Sequence, residues 1–383
     1  MAVKGETNLF DYLLWRGDLT FAQAPFCPVD NLIFSCLAYL NWNGIADGKF
    51  PRQAVTLETA ASIWEAMPAS WKQGEEKHAQ LLHAAAGCER FRSVRLFHYA
   101  ERFSEERQQQ FSATTFLLDA DDKTVYVAFR GTDNTLVGWR EDFNMSFQSE
   151  VPSQTDAAAY LREILTMGFS NVLVGGHSKG GNLAVFSAVH APRHMVQRIQ
   201  AVYNNDGPGF ANHLLETASF WYLKDRIHTF VPQDSVIGML LEHDEDYQVV
   251  YSRQKGLQQH NPFSWCVLGN DFCYVRDISS TSRILDNSLR EWIMDMTPDE
   301  REQLTDILFQ LFNRTDAKTV RELAAGGPGT IFQMIQAFGG MSASQRGMMT
   351  MHLAELVQKI LSSTAGYSTL PPGKPNRLLE QHR

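Results

Sequence analysis

The segment from Asn171 to Phe186, NVLVGGHSKGGNLAVF, constrains the fold more than any other part of the chain. An apolar strand runs directly into Gly176-His177-Ser178-Lys179-Gly180, and an apolar helix runs directly out of it. Such a connection turns so sharply that the central serine is held above the sheet, while the glycines on either side let backbone pass without a Cβ clash. The helix start beneath it offers unpaired N–H groups and a dipole that favours negative charge. Ser178 is therefore a candidate nucleophile, and the Lys179 amide a candidate donor to an oxyanion. The bland alternative is a glycine-rich turn without chemistry. A phosphate-binding turn would need G-x-x-x-x-G-K-[ST], which is absent.

The surrounding pattern fits a sheet that a strand–turn–helix of this kind can enter. Residues 1 to about 90 read as helical, closing on a glycine stop after WKQGEEKHAQLLHAAAG. Residues 94–99, 114–118 and 124–129 read as strands, the last two joined by an acidic hairpin turn at 120–123. Helices at 157–165, 183–189 and 210–216 then alternate with strands at 172–174, 199–203, 227–231 and 247–251. Alternation of buried strands with helices predicts a mostly parallel sheet flanked on both faces, an α/β class fold. Beyond about 280 the pattern is all helix. Thr297-Pro298-Asp299-Glu300 opens one helix, whose face is Leu304, Ile307, Leu308, Leu311 and Phe312. Ser342 and Gln345 cap a last helix with Leu353, Leu356, Val357 and Ile360 on one side. The expected organisation is a catalytic-type domain at 1–278, a helical appendage at 279–365, and a disordered tail at 366–383.

Bulk properties narrow the function classes. The 383 residues carry 34 basic and 43 acidic side chains, a formal charge of -9, which does not draw in nucleic acid or anionic lipid. Cys27, Cys36, Cys88, Cys266 and Cys273 are scattered without a Cys-x-x-Cys pair, so neither a zinc site nor a disulfide framework is expected. The charged start MAVKGETNLFDYLLWRGD lacks a signal-peptide core, and the longest apolar passage, at 32–40, is too short to span a bilayer. These features predict a cytoplasmic location, no metal and no cofactor. They leave the oligomeric state open.

Upstream of the elbow, Val127-Ala128-Phe129-Arg130-Gly131-Thr132-Asp133 ends a strand and is followed by Trp139 and Asp142. Together with Gly-His-Ser-x-Gly, this resembles the class 3 lipases of the α/β-hydrolase superfamily. It is more similar still to a bacterial family of uncharacterised lipase-like hydrolases. The resemblance covers roughly residues 7 to 275. It implies an α/β-hydrolase fold, Thr132 as the second oxyanion donor, and an ester or lipid-like substrate. A tetrahedral oxyanion needs two preorganised donors, and one elbow amide supplies only the first. Arg130 and Asp142 are expected to form a structural ion pair.

The chain order in this superfamily is nucleophile, acid, histidine. Asp206, in NNDGPGF, and Asp234, in FVPQDSVIGML, compete for the acid. The second run resembles the lipase segment around the triad acid, whereas Asp206 suits a glycine–proline turn, so Asp234 is the expected acid. For the base, His260 lies beyond the strand at 247–251 and His243 before it, which favours His260. His177 is expected to point into packing. The predicted activity is carboxylic-ester hydrolysis through an acyl-enzyme on Ser178. Peptidase, amidase or thioesterase chemistry on the same triad is an alternative. So is a silent scaffold that binds through the Met-rich appendage (Met334, Met341, Met348, Met349, Met351).

Overall fold

The computed structural model describes residues 7–367, apart from 73, 120, 122, 134, 211–212, 242–243, 316, 318, 320–321 and 323–326. Its framework is a nine-stranded sheet in the order β1-β2-β3-β4-β5-β6-β7-β8-β11. The strands are β1 (Val55–Thr56), β2 (Arg95–Ser104), β3 (Gln109–Leu117), β4 (Thr124–Phe129) and β5 (Asn171–His177). They continue with β6 (Ile199–Asn205), β7 (Ile227–Pro232), β8 (Tyr247–Val250), β9 (Val267–Leu268), β10 (Asp271–Phe272) and β11 (Tyr274–Val275). Strands β1 to β4 pair antiparallel, β4 to β8 parallel, and β11 closes the far edge antiparallel to β8. β9 and β10 make a separate hairpin.

Helices α1 (Leu9–Arg16), α2 (Pro28–Leu37), α3 (Leu57–Glu65), α4 (Ala69–Lys72), α5 (Glu76–Ala86) and α6 (Glu89–Arg92) precede the sheet's long strands. Then come α7 (Leu136–Asn144), α8 (Pro152–Thr166), α9 (Lys179–Val189) and α10 (Ala218–Leu223). The last are α11 (Ser280–Asp295), α12 (Pro298–Asn313), α13 (Gly327–Gly339) and α14 (Ala343–Tyr367).

Side-chain alternation along the strands divides the core in two. Val125, Val127 and Phe129 of β4, with Val172 and Val174 of β5, face Leu161, Ile164, Leu183 and Phe186 of α8 and α9. The intervening Tyr126, Ala128 and Leu173 face Leu32, Ile33, Phe34 and Trp42 on the other side. That period of two is what a sheet buried on both faces demands. On the α2 side, the buried Asp30 carboxylate takes Arg90 Nε at 2.8 Å and Nη2 at 2.6 Å. Arg90 also donates to the carbonyls of Leu19, Ala24 and Pro25, which ties down the loop before α2.

The C-terminal helices pack against the rest. Phe309 of α12 meets Phe143 of α7 edge-on at 5.8 Å, and Trp292 Nε1 of α11 donates to the His352 carbonyl of α14 at 2.8 Å. The Thr297–Glu300 and Ser342–Gln345 capping boxes both form.

Three local expectations fail. Leu353 and Val357 lie exposed, and α14 instead turns His352 inward, because the helix docks along α11 rather than over the sheet. Residues His213–Glu216 form a single 3₁₀ turn in place of a helix. Cys266 and Cys273 are joined as a disulfide across the ends of the β9–β10 hairpin, with Cα atoms 5.3 Å apart, where unpaired thiols were expected. The hairpin creates that proximity, and seven residues of separation carry no hint of it. Of the tail expected at 366–383, Gly366 and Tyr367 belong to the end of α14, and residues 368–383, like His243, lie outside the described residues. Among the described residues no helix is long and apolar enough to cross a membrane.

Candidate active site

Ser178 sits between β5 and α9 with φ +59° and ψ −133°, a backbone state that L residues adopt at a cost of about 1–3 kcal/mol. The glycines make the turn possible. A Cβ on Gly176 would stand 2.6 Å from the Phe129 carbonyl oxygen, and one on Gly180 would stand 2.9 Å from the Phe129 carbonyl carbon. The Ser178 amide donates to Asn205 O at 2.9 Å, which pins the turn to the end of β6. Beneath it Asn205 Nδ2 donates to Gly176 O at 2.9 Å, and Asn31 Nδ2 donates to Asn205 Oδ1 at 2.9 Å. Tyr126 donates to Asn31 Oδ1 at 2.7 Å. Buried amides of this kind hold a strained turn because each is matched with a partner.

The residue after Asn205 is Asp206, also left-handed at φ +53° and fully buried. Its Oδ2 meets His260 Nδ1 at 2.7 Å, and its Oδ1 accepts the Ser235 hydroxyl at 2.5 Å. Its amide donates to Phe230 O at 2.8 Å. The loop that follows is held by Asn182 of α9, whose Nδ2 reaches Gly209 O at 2.9 Å.

Asp234, the acid expected from the sequence, does not meet His260. Its Oδ2 accepts Gln259 Nε2 at 2.8 Å and the Gly256 amide at 3.0 Å, while its own amide donates to Gln259 Oε1 at 2.8 Å. The reason is positional: β7 ends at Pro232, so Asp234 lies two residues out on the loop, whereas Asp206 directly follows the last residue of β6. Asp234 clamps the residue beside His260, and Asp206 holds the ring.

His177 is buried, its Nε2 2.7 Å from the His260 carbonyl oxygen and its Nδ1 2.9 Å from the Tyr39 hydroxyl. A carbonyl can only accept, so Nε2 carries the proton and Tyr39 donates to Nδ1. Burial, reinforced by the neighbouring His260, drives the His177 pKa well below 6.5 and keeps the ring neutral. The two imidazoles stand 4.6 Å apart, which brings His260 beside the residue preceding Ser178.

Gly131 runs so close to the elbow that a Cβ there would stand 2.6 Å from the His177 carbonyl oxygen. The next residue, Thr132, donates its hydroxyl to Asp142 Oδ2 at 2.5 Å. Burial pushes the Asp142 carboxyl up to about 6, against the pull of Lys179. Arg130 pairs with Glu101 at 3.1 Å and with Asp133 at 3.7 Å rather than with Asp142, which is turned toward Thr132. The Lys179 side chain gave no signal in the sequence. It is fully enclosed, and its Nζ donates to Gln110 O at 2.7 Å, Gln110 Oε1 at 2.9 Å and Glu141 Oε2 at 2.9 Å. Among the described residues no cluster of three or more His, Cys, Asp or Glu could hold a metal ion.

A mixed sheet flanked on both faces, with its central strands β4 to β8 parallel, a strained serine turn after β5 and an acid–histidine contact beyond it, defines an α/β-hydrolase fold. A family model described as Mbeg1-like matches residues 85–310, and the chain belongs to that family. No curated protein matches the chain. Seven chains of solved structures do. A fungal lipase–inhibitor complex is 13% identical with a TM-score of 0.38, covering 58% of this chain and 78% of its own. The M37 lipase is 15% identical with a TM-score of 0.35, covering 55% and 69%. The Rhizomucor miehei lipase–propeptide complex is 16% identical with a TM-score of 0.30, covering 41% and 57%.

Proposed function

We propose that the chain is a serine hydrolase that cleaves a carboxylic ester, lipid-like in class, through an acyl-enzyme on Ser178. The observation that carries this reading is the 2.7 Å contact between His260 Nδ1 and Asp206, beside a left-handed serine turn. With Nδ1–H given to a carboxylate, Nε2 is the ring nitrogen left to accept a proton. Ser178 Oγ attacks the ester carbonyl carbon as its proton passes to His260 Nε2. The oxyanion takes the amides of Lys179 and Thr132. Collapse of the tetrahedral species breaks the C–O bond, and the imidazolium returns the proton to the departing alcohol. Water then repeats the cycle on the acyl-enzyme and regenerates Ser178. In this reading Asp206 takes the role first expected of Asp234.

The test is an acyl-chain-length series of p-nitrophenyl esters on the full chain. Turnover that vanishes in a folded Ser178→Ala variant supports the reading. A folded wild-type protein with no turnover on any chain length would point to a silent scaffold.

A further inference from the structure

We propose that helix α7 positions both halves of the oxyanion hole, and that the C-terminal helix α12 fixes α7 in place for that task. The proposal rests on the serine-hydrolase reading above. Two consecutive carboxylates of α7 divide the work. Glu141, with no exposed surface, accepts Lys179 Nζ at 2.9 Å, and Lys179 is the residue whose amide faces the oxyanion in that reading. Asp142 accepts the Thr132 hydroxyl and stands 3.9 Å from the same Lys179 ammonium. Glu141 also takes the amides of Gln110 and Ser153 at 3.0 and 2.9 Å and the Ser153 hydroxyl at 2.8 Å. β3, α7, α8 and the elbow therefore meet at one buried carboxylate. A buried pair so fully matched is costly to break on one side, because the remaining charge is left without compensation. It also adds directional restraint to two loops that must hold their donors to a fraction of an ångström.

Helix α7 has nine residues, too few to be stable without tertiary support. Its inner face is held by the Glu141 network, and α12 holds its outer face. Arg140 pairs with Asp306 and also lies over the Phe309 ring at 5.8 Å, and Phe143 packs edge-on to Phe309. Arg301 Nη1 donates to the Ser146 carbonyl at 2.6 Å just past the helix end. At the other end Thr135, the N-cap, is bridged to Thr319. The C-terminal helices thus contact the helix that carries the two oxyanion-positioning carboxylates. Glu141 and Arg140 are positioning residues in this scheme, since they act through Lys179 and through α7.

Steady-state hydrolysis of p-nitrophenyl butyrate by the full chain tests this, with thermal midpoints recorded for each variant. Glu141→Gln is expected to lower kcat by about 10- to 100-fold while KM stays within about threefold, the signature of misplaced donors. Arg140→Asp, at a partly exposed pair and so less apt to unfold the chain, is expected to lower kcat by about threefold to tenfold. The swapped pair Arg140→Asp with Asp306→Arg should return kcat to within about twofold of wild type, a rescue that loss of general stability would not give. Wild-type kcat in Arg140→Asp, or no rescue in the swap, overturns the proposal while the hydrolase reading stands. A wild-type protein that neither turns over nor reacts at Ser178 removes the hydrolase reading, and this proposal with it.

Discussion

Asp206 Oδ2 holds His260 Nδ1 at 2.7 Å while Asp206 Oδ1 takes the Ser235 hydroxyl, so both carboxylate oxygens are directed before any substrate arrives. Removing that charge without changing its shape should leave the ring in the wrong tautomer. Asp206→Asn is expected to lower kcat by about 10³- to 10⁴-fold, while Asp234→Asn, which only loosens the Gln259 clamp, costs about tenfold or less. Ester kinetics on the two folded variants decide it. The reverse ranking would restore Asp234 as the acid.

The neutral state of His177 makes a prediction about pH and stability. Burial holds its pKa well below the ordinary 6.5, so below that pH the unfolded chain binds a proton that the folded chain refuses. Stability must then fall as pH drops through that range, by up to about 1.4 kcal/mol per unit. His98 and His228 are lowered by burial too and add to the same slope, so the variant is read by difference. His177→Gln should show a smaller loss of Tm than wild type between about pH 7.5 and about pH 5.5. Equal losses in the two proteins would contradict the assigned neutral ring.

The elbow's geometry predicts what a single methyl group does. At Gly180 a Cβ meets the backbone of Phe129 and Arg130 at 2.9 and 3.0 Å, contacts relieved only by lifting the start of α9 away from the end of β4. Gly180→Ala is expected to cost about 1–3 kcal/mol in urea unfolding. Gly329→Ala in α13 meets nothing within 4 Å and serves as the control, neutral or stabilising by up to about 1 kcal/mol. An unchanged midpoint for Gly180→Ala would mean that the turn is looser than its contacts imply.

Much of the framework was legible because it depends on local pattern. The apolar runs of β4 and β5, the Gly-x-Ser-x-Gly spacing and the Thr297 cap are all written in adjacent residues. The partner of His260 was not legible in the same way. Asp206 and Asp234 each follow a strand, and only the three-dimensional reach of the His260 loop separates them. A signal for Asp206 existed in NNDGPGF: an acid immediately after a strand, followed by two glycines and a proline, suits a forced left-handed position as well as a free turn. Glu141 had no such signal, since its partners Gln110, Ser153 and Lys179 come from three other elements. The Cys266–Cys273 disulfide was hidden for a related reason, because a two-residue strand on each side of a hairpin leaves almost no pattern to read. The exposed Leu353 and Val357 carry the opposite lesson: an apolar stripe on a helix predicts a face without saying whether that face is covered.

The central claim is that Ser178 is a nucleophile activated by His260 and Asp206. The most direct measurement is reaction of the intact chain with a fluorophosphonate probe, followed by mass analysis of the labelled peptide. The account predicts one probe per chain, attached to the peptide that carries Ser178, with labelling lost in Ser178→Ala and strongly slowed in Asp206→Asn. A folded wild-type chain that takes up no probe, or that is labelled elsewhere, would contradict it.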